Sequence, residues 1–172
     1  MTFSRRRLLG ASVAAWSLTA DRAGAASART RTELVAMSHS AFPYEGLIPD
    51  SGEPFWDVHQ DGRRGHTSAR AGVYFEDETY SDTRSLLHVP RRFSGSRRSL
   101  RVVFFHGNDA TLQDDVIVRQ RVVEQFDRSG LDGVLLAPQL ARRAMDSSAG
   151  RFWEPGFFAQ YLQEAKIGRA HV

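Results

Sequence analysis

Five of the six histidines, one acidic run and one glycine turn are the places where this chain could do chemistry. His39, His59, His66, His88 and His106 form no pair at ligand spacing on a common element, so no zinc site is expected. Cysteine is absent, which removes thiolate metal sites and disulfides as sources of function or stability. The run Glu76, Asp77, Glu78 and Asp82 has the oxygen chemistry of a calcium ligand set, but a solvated hairpin tip is the commoner meaning of such a run. Phe152, Trp153, Phe157, Phe158 and Tyr161 read as an aromatic helix face packing on a sheet, with an acyl pocket as the alternative. No cofactor motif is present. That leaves His106-Gly107-Asn108-Asp109, a turn placed directly after an apolar run.

The elements around that turn follow from apolar patterning. Leu100-Arg101-Val102-Val103-Phe104-Phe105 fits a strand buried on both faces, and so does Gly133-Val134-Leu135-Leu136-Ala137-Pro138. Between them a helix is expected from Thr111, with Asp114 as a partial capping box and Ser129-Gly130 as its end. Leu112, Val116, Val122, Val123 and Phe126 share an arc of roughly 120°, which Asp115 and Arg119 interrupt. Strand, helix, strand with both strands buried demands a parallel crossover, hence an α/β fold. Upstream, Gly72-Val73-Tyr74-Phe75 and Ser85-Leu86-Leu87-His88-Val89 suggest a hairpin, stopped by Pro90. Residues 26–40 read as a linker and 42–65 as loops with one short strand near 55–58. Downstream, a loop leads to Pro155 and a further helix.

Charge is unevenly spread. The formal net charge is +3, yet residues 26–165 carry 17 arginines against 19 acidic residues, a net charge of −2. The body is mildly acidic, which removes the electrostatic support for nucleic-acid binding. The basic excess sits at the front: Ser4-Arg5-Arg6-Arg7-Leu8-Leu9 resembles a twin-arginine translocation signal. A short, weakly apolar stretch follows, ending in Ala23-Gly24-Ala25, small residues of the kind a signal peptidase cleaves after. Residues 1–25 are therefore expected to be a leader handled by the twin-arginine translocase and signal peptidase. The expected location is the periplasm or the exterior, with no stable membrane span after cleavage.

Leu86-Leu87-His88-Val89-Pro90-Arg91-Arg92-Phe93, a polar spacer, and Val102-Val103-Phe104-Phe105-His106-Gly107 together resemble the α/β-hydrolase superfamily. The likeness is to exported esterases of the polyester-depolymerase and feruloyl-esterase kind. It implies an incomplete α/β-hydrolase-like sheet over residues 66–165, made of an N-terminal hairpin and the start of a parallel, helix-flanked sheet. It also implies that the turn after the apolar strand donates a backbone N–H to an oxyanion hole. Carried over, the donor is Asn108, with Gly107 allowing close backbone approach and His106 shaping the loop. The implied substrate is a small-molecule or polymer ester.

The chain departs from that pattern in lacking a Gly-x-Ser-x-Gly elbow. Ser148 in Asp146-Ser147-Ser148-Ala149-Gly150 is the nearest approach, but it follows a polar stretch and no strand. Nucleophile, acid and histidine are thus expected later than Ala165. Residues 166–172 resemble a translated sequencing adapter, which also accounts for Lys166 as the one lysine beside 22 arginines. The reading is a truncated exported serine hydrolase, inactive as it stands. A non-catalytic periplasmic binding protein on the same fold is the alternative, followed by a metal-dependent phosphoesterase.

Overall fold

The computed structural model describes residues 30–167, with side chains to Ala165. The expected leader, residues 1–25, lies outside the described residues, as do all but the first two residues of the adapter-like tail. The strands are β1 (Arg31–Ala36), β2 (Val58–Gln60), β3 (Arg63–Ser68), β4 (Gly72–Phe75), β5 (Arg84–Val89), β6 (Leu100–Val103) and β7 (Gly133–Pro138). A π-helical segment spans Leu112–Arg119, and α1 (Val122–Arg128) and α2 (Phe157–Ile167) complete the framework.

The larger sheet has the order β1-β5-β7-β6, and β2-β3-β4 form a separate antiparallel sheet. Only β6 and β7 run parallel; β5 is antiparallel to both β1 and β7. The fold is mixed α/β, and the crossover expected between residues 100–105 and 133–138 is present. Alternation along the central strands explains the layering. Leu86, Leu135 and Ala137 face Leu112, Val116 and Phe126, whereas Leu87 and Leu136 face Tyr161 and Ala165 of α2. Helical cover on both faces is why β7 is buried at every residue.

Five expectations need correction. Gly72–Phe75 and residues 85–89 do not form a hairpin: β4 pairs with β3, and β5 pairs with β1 and β7. The chain leaves β4 through a wide π turn, Glu76–Tyr80, that buries Tyr80 against Phe42 and Phe55. The acidic residues of that turn are ion-paired with Arg63 and Arg64 of β3; Asp77 and Glu78 stay solvent-exposed, but on a π turn and not at a hairpin tip. Residues 31–36, read as linker, form β1, because Leu34 and Val35 each pack into the core on opposite faces of the sheet.

The apolar run 100–105 carries β6, an edge strand among the described residues, with Leu100 48% and Phe105 49% exposed at the ends of the run. It is β7, the later strand, that lies inside the sheet. The helix from Thr111 is also not continuous. Its first turns are widened, with Val116 N–H donating to Thr111 O and Gln120 N–H to Asp115 O, and Arg121 at φ 53° breaks it before α1. The widening follows from the cap. Thr111 Oγ1 accepts from Asp114 N–H at 3.0 Å, while Asp115 Oδ2 accepts from Thr111 N–H at 2.7 Å. The acid that reaches back is one residue later than in an ordinary capping box, and a wider turn brings it into reach. No helix of the described residues is long and apolar enough to cross a membrane.

Candidate functional site

Because β6 and β7 run parallel, the loops that follow them leave the sheet at the same end. The later strand sits inside the earlier one, and crevices at the carboxyl ends of such strands are where open α/β sheets bind ligands. Residues 104–111 and 139–149 form the two sides of that end. Asp109 N–H donates to Ala144 O at 2.8 Å and Arg143 N–H to Ala110 O at 3.4 Å, tying the two loops together.

His106 is the pivot. Its Nε2 receives Gln139 Nε2–H at 2.8 Å and Leu140 N–H at 3.0 Å, so that nitrogen carries the lone pair. The ring proton is therefore on Nδ1, which donates to Gly107 O at 2.8 Å. Burial pushes the His106 pKa below its ordinary value, opposed by the Gly107 carbonyl and by Asp115, and this favours the neutral ring. Gln139 is itself fully buried; its Oε1 accepts Leu112 N–H at 3.0 Å, which fixes the orientation of its amide.

This arrangement has a consequence for the next peptide. A trans peptide is planar, with its C=O and N–H pointing in opposite directions. Holding Gly107 O on the imidazole therefore fixes where Asn108 N–H points. Among the described residues, neither the Gly107 nor the Asn108 amide has a hydrogen-bond partner, and neither residue is buried. A Cβ built at Gly107 would meet nothing within 4 Å, so the chain's own packing does not require glycine there. Two open donors on a pinned loop can receive an anion or an oxygen that acquires negative charge.

The Asn108 side chain joins three segments. With its amide oriented to satisfy both ends, Nδ2 donates to Ser147 Oγ and Asp146 O at 3.2 Å each, and Oδ1 accepts from Arg70 Nη1 at 2.8 Å. Next to it a cleft of about 260 Å3 is lined by Ile48, His66, Arg70, Asp146, Ser147 and Trp153. Asp146 is committed to the interior: Oδ2 accepts from Tyr80 Oη at 2.8 Å, and Oδ1 accepts from Ser148 Oγ at 2.8 Å and Ser148 N–H at 3.1 Å. The Ser148 hydroxyl is thus spent on a carboxylate, and no described histidine hydrogen-bonds to it.

The remaining histidines stand elsewhere. His88 is fully buried between Thr32 Oγ1 at 2.8 Å and Asp127 Oδ1 at 3.2 Å, an order of groups like a nucleophile, base and acid. It lines neither the cleft beside Asn108 nor the one around His59, and it works as a satisfied polar tie across β1, β5 and α1. His39 binds Glu164, and His66 Nδ1 lies 2.8 Å from Phe55 O. Among the described residues no three metal-ligating side chains converge. A larger cleft, about 590 Å3, surrounds His59, Arg63, Arg64, Glu76 and Asp77, but its arginines are already paired with Glu45, Glu76, Asp77 and Glu78. Phe152, Phe157, Phe158 and Tyr161 pack mainly on one another and the sheet, with Phe105 at their outer margin, whereas Trp153 packs on Tyr44 and Phe55.

The sequence singled out Gly107, Asn108 and His106, and they are together here. It missed Gln139, Arg70 and Tyr80. A polar residue immediately after an apolar strand was the signal available for Gln139; nothing local marks Arg70. No family model, no curated protein and no solved structure matches the chain.

Proposed function

We propose that this chain is the leading part of an exported serine hydrolase that cleaves an ester, and that residues 106–108 form one side of its oxyanion hole. The observation that carries the reading is the pair of open amides at Gly107 and Asn108 on a loop pinned by His106. In acyl transfer the carbonyl oxygen of the substrate becomes an oxyanion. Asn108 N–H, held by its peptide plane, is a donor that needs no rearrangement as that charge forms. The strand order supports the same reading: two antiparallel strands, then a parallel pair with the later strand inside, is how α/β-hydrolase sheets begin.

Nucleophile, acid and base come, on this reading, from residues beyond Ala165, and the 172-residue chain has no esterase activity of its own. Export follows the twin-arginine route, with translocase and signal peptidase as partners and a small-molecule or polymer ester as substrate. The test is to obtain the coding sequence past Ala165 and assay its product on p-nitrophenyl esters. A Gly-x-Ser-x-Gly elbow followed by Asp or Glu and His, with activity lost when that serine becomes alanine, is the expected result. A continuation without such a serine, or an active protein indifferent to its removal, would sink the proposal.

A further inference from the structure

We propose that the cleft between the β3–β4 turn and the 145–153 loop is a subsite for a small, planar carboxylate, held by Arg70. The binding claim rests on the cleft itself. Assigning that carboxylate to an ester substrate rests on the hydrolase reading above.

Charge gives the first argument. Among the described residues no carboxylate is ion-paired with Arg70, whereas the arginines of the larger cleft are paired. Asp146, the acid in the same wall, has both oxygens occupied by Tyr80 and Ser148. Asp57, 3.7 Å from His66 Nδ1, accepts Thr67 N–H at 2.8 Å. The cleft therefore presents one cation without a direct ion-pair partner, while Asp146, its oxygens taken by neutral donors, keeps its negative charge turned to the interior.

Position gives the second. Arg70 would be an ordinary solvated turn residue if nothing held it, but Asn108 Oδ1 fixes Nη1 at 2.8 Å. The guanidinium has five N–H groups, and this bond takes one. Its remaining edge keeps the fork geometry that suits a carboxylate bidentately. Because the anchor is the side chain of the residue whose amide is the proposed oxyanion donor, the subsite adjoins the reacting centre.

Shape gives the third. Trp153, Ile48 and the His66 ring supply flat or apolar walls, and Ser147 adds a hydroxyl at the rim. At about 260 Å3 the cleft is smaller than the roughly 300–1,000 Å3 of drug-sized sites, so the ligand is small. An aromatic or unsaturated monocarboxylate fits these walls and this charge.

The experiment is a two-dimensional amide and side-chain NMR titration of the full 172-residue chain with benzoate, and with benzamide as its neutral counterpart. Benzoate should shift Ser147, the Trp153 indole and Arg70 Nε–H, binding about ten-fold or more tightly than benzamide. Arg70→Gln should lose that preference and Arg70→Lys should keep part of it. Spectral dispersion of each variant reports folding, so loss of fold is separable from loss of binding. Equal binding of the two probes, unchanged benzoate binding in Arg70→Gln, or no benzoate shifts in the folded protein would each overturn the proposal. The titration reads no turnover, so failure of the hydrolase reading leaves its outcome intact.

Discussion

Gln139 Nε2–H and the imidazole Nε2 of His106 meet at 2.8 Å inside the protein, linking the residue after β7 to the residue that orients the 107–108 peptide. The same amide accepts Leu112 N–H through Oε1, so one side chain holds both the turn and the start of the π-helical segment. Gln139→Leu keeps the volume but leaves Leu112 N–H buried without its acceptor. It should cost about 1–3 kcal/mol in denaturant unfolding, and it should speed hydrogen exchange in residues 106–112.

His106 also gives the fold a pH dependence of known sign. Burial lowers its pKa in the folded state, so between the folded value and the ordinary 6.5 the unfolded chain binds more protons. Stability from this group is therefore complete above about pH 6.5 and is lost as pH falls toward the folded value. Unfolding free energies measured from about pH 7 down to about pH 5 should fall more steeply in the native protein than in His106→Ala. Equal slopes would show that the histidine is not held neutral.

Two glycines separate folding from function. Gly107→Ala meets no atom within 4 Å and no positive φ, so its stability should stay within about 0.5 kcal/mol of the native chain. Gly150 differs, since it sits at φ 57° and an added Cβ would collide with the Ala41 carbonyl and the Phe42 ring. Gly150→Ala should cost about 2 kcal/mol or more. Thermal melts of the two variants make the comparison, and in the proposed hydrolase Gly107→Ala should then act on turnover with the fold intact.

The parts of this architecture legible in the sequence were those written locally. An unbroken apolar run gave β7, and Thr111 marked the helix start. The turn at His106–Asn108 was visible because a polar, glycine-containing step ended a β-rich segment. Partners were not legible. Residues 72–75 and 85–89 each read correctly as strands, but nothing in either specified that Tyr80 would be drawn into the core between them and send them to different sheets. Arg70 was invisible for the same reason: its role depends on Asn108, 38 positions away in the chain, and on neither residue's neighbours in sequence.

Tyr80 offers a direct check on how the 145–149 loop is held. Its hydroxyl donates to Asp146 Oδ2 at 2.8 Å in the interior, and burial, then the Asp146 charge, pushes its pKa far above the ordinary value. Tyr80→Phe leaves that carboxylate oxygen without a donor and should cost about 1–3 kcal/mol. With the folded pKa raised, the stabilisation is present below the ordinary tyrosine value of 10.0 and declines as pH rises beyond it. Alkaline unfolding monitored by tyrosinate absorbance should show this phenol ionising only with loss of the fold. Its ionisation in folded protein would contradict the buried pair.

The cap at Thr111 tests whether the π-helical segment depends on its first turn. Thr111→Ala removes the acceptor of Asp114 N–H, and Asp115→Ala removes the acceptor of Thr111 N–H together with the Arg119 contact. Each should destabilise by about 1 kcal/mol. Asp115 is held below the usual carboxylate range, first by Thr111 N–H and then by Arg119, so its stabilisation is present above its ordinary value and is lost as pH falls through the lowered one. The two residues form one reciprocal unit, so the double variant should lose less than the sum of the single ones. Strict additivity in denaturant unfolding would mean that the two bonds act independently, and that the late-placed acid is not what widens the turn.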